Sequence, residues 1–152
     1  MKKLIFILMF VSLSVNAQEI MIEGGSHLSS GSGVGGFVRY TSDIKCPWDG
    51  RMGLAAGAWD GRFRNNVYSI NCNWVMDEKF DLVFGGALRK RDIPEDVNND
   101  LNFEFGIRFR LKELEKGGLY AFLYHYSNGE VLGIGSDNHE DNMAGVGYSI
   151  SW

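Results

Sequence analysis

The chain has few of the residues that interrupt or cross-link a fold. Its 152 residues include two prolines and two cysteines, and no long stretch has the apolar spacing of an amphipathic helix. The two cysteines form no CxxC motif and no cluster with histidine, so we expect no metal site. Export would permit a disulfide, but the sequence leaves open whether Cys46 and Cys72 pair. Strands are therefore the main predicted element.

Basic residues are outnumbered as well. The formal net charge is −4, and it becomes −6 once Lys2 and Lys3 leave with the N-terminal segment described next. An acidic chain lacks the basic face that nucleic-acid binding requires, so no nucleic-acid partner is expected.

Long apolar runs are confined to the N-terminus. "MKK" is a basic start, "LIFILMFVSLSV" an apolar core and "VNA" a small-residue cleavage pattern, which together predict a secretory signal peptide over residues 1–17. The run is shorter than the about 20 residues of a transmembrane helix, and no later window reaches that length. Residues 18–152 are then the mature domain.

Strict alternation dominates that domain. In "LNFEFGIRFRL", residues 101–111, the aromatic and aliphatic side chains fall on one strand face and the polar and charged ones on the other. The apolar face of such a strand would be the core of a soluble sandwich or of a lipocalin-like binder. In an outer-membrane barrel it would face lipid, with the charges turned inward.

The C-terminus favours the barrel. The chain ends "AGVGYSISW", in which Val146, Tyr148, Ile150 and Trp152 alternate with glycine and serine. A terminal aromatic residue on an alternating strand resembles the C-terminal assembly signal of bacterial outer-membrane proteins. Together with the signal peptide, it predicts a location in the bacterial outer membrane.

The alternation predicts eight strands, most of them near the about 9–11 residues of a tilted spanning strand. They are predicted at 19–28, 35–44, 51–61, 66–77, 79–91, 101–111, 118–128 and 142–152. The predicted fold class is all-β, an eight-stranded antiparallel transmembrane β-barrel with both termini periplasmic. The predicted inner turns are "KCPWDG", "DEK" and "LKELEKGG", and the longest outer loops follow strands five and seven. A lumen of this size is filled by side chains, with Arg108 or Arg110 paired to Glu104 or Asp81.

One constellation with chemical potential lies at the outer end of strand seven, in "LYHYSNGEV", residues 123–131. His125 and Ser127 share a strand face, although parity does not decide whether that face meets lipid. Counting back by two from Trp152 along strand eight reaches Glu140 on the outward face. A serine, a histidine and an acid would then meet at one rim, with Ser127 as nucleophile, His125 as base and Glu140 orienting the ring.

Simpler interpretations stay open for each of these residues. His125 could be an interfacial polar residue, Ser127-Asn128-Gly129 could be ordinary turn chemistry, and Glu140 could be a solvated loop acid. The oxyanion donors of a hydrolase would come from Asn128, Asn138 or the backbone N–H of Gly129.

The motif also resembles a known family. "HYSN" before a glycine-rich polar loop, an acid that opens the last alternating strand, and "LNFE" at residues 101–104 are similar to the PagL-type outer-membrane lipid A 3-O-deacylases. The resemblance covers the last third of the chain most clearly. It implies an eight-stranded barrel that hydrolyses the ester-linked 3-hydroxyacyl chain at position 3 of lipid A in the outer leaflet, without a cofactor. By matching position, it assigns His125, Ser127 and Glu140 as base, nucleophile and orienting acid.

The sequence departs from the family in the last loop. The acid of the family follows its serine one residue earlier, where this chain has His139. Glu140 is retained with a one-residue insertion, and Glu130 and Asp141 are fallback acids. The Pro-Asn pair usual in that loop is replaced by "GIGSDN", which leaves Asn138 as the candidate donor.

The predicted partner is lipid A, as part of lipopolysaccharide. The alternative function is a non-enzymatic small outer-membrane barrel for adhesion or membrane stability. The sequence leaves the oligomeric state open, including a homodimer.

Overall fold

A single closed antiparallel sheet forms the protein. The computed structural model describes residues 17–28, 33–60, 64–92, 99–128 and 141–152. Each strand pairs with its neighbours in the chain, and β1 also pairs with β8, which closes the barrel. The strands are β1 (Ala17–His27), β2 (Val34–Lys45), β3 (Arg51–Asp60), β4 (Arg64–Val75), β5 (Phe80–Asp92), β6 (Asn99–Leu114), β7 (Gly117–Asn128) and β8 (Asp141–Ser151). The predicted eight-stranded antiparallel barrel is confirmed, and a two-sheet sandwich is excluded.

The described residues contain no helix with the length and apolar character that a membrane-spanning helix requires.

The two ends of the barrel differ. At one end, here called the turn end, lie the connections 46–50, 76–79 and 115–116, together with the start of β1 and the end of β8. At the other end, the loop end, the connecting segments 29–32, 61–63, 93–98 and 129–140 lie outside the described residues. Residues 1–16 of the predicted signal peptide also lie outside them.

The predicted inner turn "LKELEKGG" was wrong in extent. β6 continues through Leu114 and β7 begins at Gly117, so the turn itself is only Glu115 and Lys116. Cross-strand pairing, such as Leu114 with Gly117, overrides the helix-like composition of this run. Gly117 has a φ of 142°, and a Cβ there would overlap the Ser149 carbonyl oxygen, so only glycine fits.

The lumen contains buried charged side chains together with aromatic and aliphatic ones, whereas the outward face is mainly apolar. On β6, Phe105, Ile107 and Phe109 are exposed, whereas Glu104 and Arg108 are buried. This confirms the alternation expected of β6, with its charged side turned inward. It is the reverse of a ligand-binding barrel with an apolar interior, and it matches the pattern of transmembrane barrels.

Aromatic rings from β7 fill much of the lumen. Tyr120, Phe122, Tyr124 and Tyr126 are all buried. The adjacent strands make room for them with glycines: a Cβ on Gly106 would overlap the Tyr124 ring, and one on Gly147 would overlap the Tyr120 ring. Gly106 is opposite Tyr124 and Gly147 is opposite Tyr120, so the inward face of β7 is fixed by the packing of its rings against these glycines.

A charged network crosses the lumen beside these rings. Arg39 on β2 donates from Nε to Glu23 Oε2 (2.7 Å) and from Nη2 to Glu104 Oε1 (2.5 Å), and all three side chains are buried. Tyr126 donates to Glu104 Oε1 (2.8 Å), and Tyr124 donates to Glu23. Fixed charges in a lumen of low dielectric are tolerated only when they are paired and hydrogen-bonded in this way.

The predicted arginine–carboxylate pairs are correct in part. Arg110 binds Asp81 at 2.9 Å, as predicted. Glu104, however, pairs with Arg39 from β2 and not with an arginine of its own strand. Arg108 also pairs with Asp81, with Nε 4.0 Å from Oδ2, and it donates to Asn73 Oδ1 at 2.6 Å and contacts the Met21 sulfur.

A disulfide joins Cys46 and Cys72, the pair that the sequence left open. Their Cα atoms are 6.1 Å apart, within the range that a disulfide spans. Cys46 begins the β2–β3 connection and Cys72 lies near the turn end of β4, so the bond ties this connection to the barrel wall.

Replacing Arg39 with alanine should destabilise the barrel by about 3–5 kcal/mol, because it leaves Glu23 and Glu104 buried without their cation. Urea unfolding in detergent micelles, followed by tryptophan fluorescence, measures the loss. Arg110→Ala is the matched control. Its side chain is 31% exposed, so that variant should lose about 1 kcal/mol or less. Equal losses in the two variants would contradict a central role for the Arg39 network.

Candidate functional site

The outward face of β7 carries two polar residues near the loop end. Sequence parity could not decide which face of this strand points outward, because both are largely apolar. The structure buries the face with Tyr124 and Tyr126, which are 0% and 1% exposed. His125 and Ser127 are therefore on the outer surface, and both are half-buried.

The surroundings of the pair are apolar on one side. On β6, Phe105 is opposite His125 and Phe103 is opposite Ser127. The Phe103 ring stacks on the Phe84 ring of β5, with centroids 6.4 Å apart and planes at 9°. Gly86, which pairs with Phe103, has open space where a Cβ would be. An aromatic surface with a shallow gap thus lies beside Ser127.

A polar contact holds His125 on its other side. Asn142 on β8 pairs with His125 in the strand register, and its side-chain Oδ1 is 2.8 Å from His125 Nδ1. A carbonyl oxygen only accepts, so this contact is a hydrogen bond in the tautomer that carries the ring hydrogen on Nδ1. The neutral ring then has its lone pair on Nε2, and no hydrogen bond to Nε2 occurs within the described part of the chain. The imidazole is thereby arranged to take up a proton at Nε2.

Ser127 follows two residues later on the same strand face. The strand rise separates the two Cα atoms by roughly 6.5–7 Å. Within the described ranges, no hydrogen bond joins Ser127 to His125. Catalytic hydrogen bonds are often long in a substrate-free enzyme and shorten in the complex.

The remaining predicted site residues are not described. Gly129, Glu130, Asn138, His139 and Glu140 lie in the 129–140 segment, outside the described residues. The backbones of Asn128 and Asp141 end β7 and begin β8, but their side chains lie outside the description. The assignment of an orienting acid and of oxyanion donors to these residues therefore stays a prediction.

Sequence reasoning missed Asn142. The alternation along β8 puts Asn142 on the outward face, but an amide is not the acid that a serine triad requires, and Glu140 is the next outward residue in the sequence. The signal that would have found Asn142 is the β7–β8 register, which sets His125 directly opposite it. A connection as long as 129–140 does not fix that register in the way a two-residue turn would.

A separate cavity opens at the turn end. Its volume is about 720 Å³, and it is lined by residues of both charges, among them Arg51, Asp81, Arg108, Arg110 and Lys112. It lies at the opposite end of the barrel from His125. No group of three or more metal-binding side chains occurs among the residues that the structure describes.

Along β7, substitutions of inward residues should lower the free energy of unfolding much more than substitutions of outward residues. Tyr126→Ala should lower the free energy of unfolding by about 3–5 kcal/mol, because it removes a buried ring and its bond to Glu104. His125→Ala and Ser127→Ala should each change it by about 1 kcal/mol or less, because both face outward. Urea unfolding in micelles measures all three. A loss for Ser127→Ala as large as that for Tyr126→Ala would mean that the inward face is assigned wrongly.

Comparison with known proteins finds a protein of similar fold but none of similar sequence. No family model and no curated protein matches the sequence. The crystal structure of the outer membrane enzyme PagL matches with a TM-score of 0.59 at 17% identity, covering 88% of this chain and 99% of that chain. The chain is thus similar in architecture to PagL along almost the whole length of that protein.

Proposed function

We propose that this protein is a lipid A 3-O-deacylase, a serine esterase that hydrolyses the ester-linked 3-hydroxyacyl chain at position 3 of lipid A. The observation that carries the proposal is the placement of His125 and Ser127 on the outer, apolar surface of the barrel near the loop end. A nucleophile and base on that surface would meet a lipid rather than a water-soluble substrate. The HYSN motif and the barrel shared with PagL support the same assignment.

The proposed location is the outer membrane, with the loop end in the outer leaflet. The apolar exterior and charged lumen suit a lipid environment. Short connections at the turn end and a longer 129–140 segment at the loop end follow the usual asymmetry of outer-membrane barrels, with termini in the periplasm. The N-terminal segment 1–17 has the composition of a signal for export. Lipid A would then lie beside Ser127.

The proposed reaction proceeds in two steps. Ser127 Oγ attacks the ester carbonyl carbon while His125 Nε2 accepts the serine proton. The bond from that carbon to the sugar oxygen breaks, and the proton passes to the leaving oxygen. Water, deprotonated by the same imidazole, then attacks the acyl-serine and releases the 3-hydroxy fatty acid. One ester and one water give one alcohol and one acid, and no cofactor is needed.

The aromatic surface beside Ser127 suits the acyl chain. Phe103 and Phe84 form a stacked wall, and Gly86 leaves a gap beside it. An acyl chain lying along this wall would bring its ester carbon to the serine. The oxyanion donors are proposed to come from Asn128, Gly129 or Asn138, and Glu140 is the acid that the sequence predicts for this site.

One observation favours the alternative of a non-enzymatic outer-membrane barrel. The group that contacts His125 Nδ1 is the neutral amide of Asn142 and not a carboxylate. A neutral partner orients the ring but adds no charge to stabilise the imidazolium that forms during catalysis. A barrel that serves adhesion or membrane stability would not need that charge.

Expression of the full chain in a lipopolysaccharide-bearing bacterium without its own 3-O-deacylase should remove one hydroxyacyl group from lipid A. Mass spectrometry of extracted lipid A measures the loss. Ser127→Ala and His125→Ala should each lower the conversion by roughly a thousandfold or more, because they remove the nucleophile and the base.

Ser26→Ala is the matched control, because Ser26 is an exposed serine on β1 near the loop end of the barrel. It should leave the conversion unchanged. Migration of unboiled samples on gels verifies that each variant has folded. Lipid A of unchanged mass in cells with folded wild-type protein would refute the proposed activity and favour the non-enzymatic barrel.

A further inference from the structure

We propose that Asn142 is the positioning residue of the site, the group that holds His125 in the tautomer that a base requires. The inference rests on the proposed esterase function for its chemical role. It makes the constellation serine, histidine and asparagine, with Asn142 in the place that the sequence predicted for Glu140. An asparagine fills the same orienting role beside the histidine of cysteine proteases.

The strand register sets Asn142 directly opposite His125. Tyr124 pairs with Met143 and His125 with Asn142, in an unbroken antiparallel ladder that begins at Gly117. Both His125 and Asn142 are half-buried on the outward face, and their side chains meet at 2.8 Å. Two residues on neighbouring strands of a regular sheet are held more rigidly than a residue within a long connection. The position of the ring is therefore set by the barrel itself.

The chemistry of an amide at this position differs from that of a carboxylate. Asn142 Oδ1 accepts the hydrogen of Nδ1, which leaves the lone pair on Nε2 for the Ser127 proton. An amide is less costly than a carboxylate on a surface that faces lipid. The neutral amide, however, provides no negative charge to stabilise the imidazolium. Within the described part of the chain, the group that orients the ring is thus uncharged.

The neighbours of His125 that the structure describes on β6 and β8 are uncharged. The outward residues of β6 beside it are Phe103, Phe105 and Ile107, and the next outward residue of β8 is Ala144. Within the described residues, no acidic or basic side chain faces the ring from either strand. A carboxylate placed at position 142 would therefore be a new charge in direct contact with the imidazole.

Nitrogen spectra of the imidazole test the proposal without relying on activity. In ¹⁵N-histidine-labelled protein in detergent micelles, His125, assigned with His125→Ala, should be in the Nδ1–H tautomer. Asn142→Leu, which has a similar shape and no acceptor, should lower the Nδ1–H population. Asn66→Leu is the control, since Asn66 is a half-buried residue on the outward face of β4. That variant should keep the wild-type spectrum.

Kinetics on lipid A in micelles provide the second readout. Asn142→Leu should lower kcat about tenfold or more while KM stays within about twofold, because the lost bond orients the base and does not bind the lipid. Asn142→Asp should keep the orientation and move the acidic limb of the pH–rate profile up by about one pH unit or more, because its carboxylate stabilises the protonated ring. A merely structural asparagine would leave kcat of the folded Asn142→Leu variant close to the wild-type value.

Two results would overturn the inference: an Nε2–H tautomer of His125 in the wild-type protein, or a tautomer change in Glu140→Gln but not in Asn142→Leu. The proposed function fails by a different result. Spectra that behave as expected, in a protein whose lipid A mass does not depend on Ser127, would support the orienting bond and refute the esterase.

Discussion

The bonds that Tyr126 makes in the lumen are the constraint on which the outer surface depends. Its hydroxyl donates to Glu104 Oε1 at 2.8 Å and accepts from Arg39 at 3.2 Å. In a strand, a residue fixed on one face fixes both of its neighbours on the other. Tyr126 lies between His125 and Ser127, so its attachment to the buried network holds both of them on the outer surface. The chemistry proposed for the outside of the barrel thus follows from electrostatics on the inside.

The inner and outer faces of the barrel differ in how their polar groups are stabilised. Charges such as Arg39 and Glu104 are costly in lipid, and in the lumen these two pair with each other although their strands, β2 and β6, are not neighbours. The outer face is apolar, so a polar residue there needs a partner of its own. His125 has one in Asn142. An amide meets this need with less desolvation than a carboxylate would, which gives a physical reason for a neutral group at that position.

The sequence predicted the barrel well because its alternation is local. Strand number, closure and the inward face of β6 followed from period-two patterns that each strand carries by itself. The contacts that join distant strands could not be predicted in this way. The partner of Glu104 proved to be Arg39, 65 residues away along the chain. The sequence also left undecided whether Cys46 and Cys72 form a disulfide, which the structure contains. On β7 the alternation itself was ambiguous, because aromatic and aliphatic residues occupy both faces, and only packing against glycines on β6 and β8 decided it. The residue that contacts His125 Nδ1 is determined by the β7–β8 register. That register could not be predicted, because the connection between the two strands is 12 residues long.

The central claim is that Ser127 is a nucleophile activated by His125 on the outer surface of the barrel. The most direct test is the mass of the intact protein after incubation in micelles with an alkyl fluorophosphonate, which transfers its phosphonyl group to an activated serine with loss of fluoride. We expect a single adduct on the wild-type chain, located at Ser127 by peptide mapping, and a strongly reduced adduct in His125→Ala. An unmodified wild-type protein, or an adduct that forms equally well without His125, would contradict it.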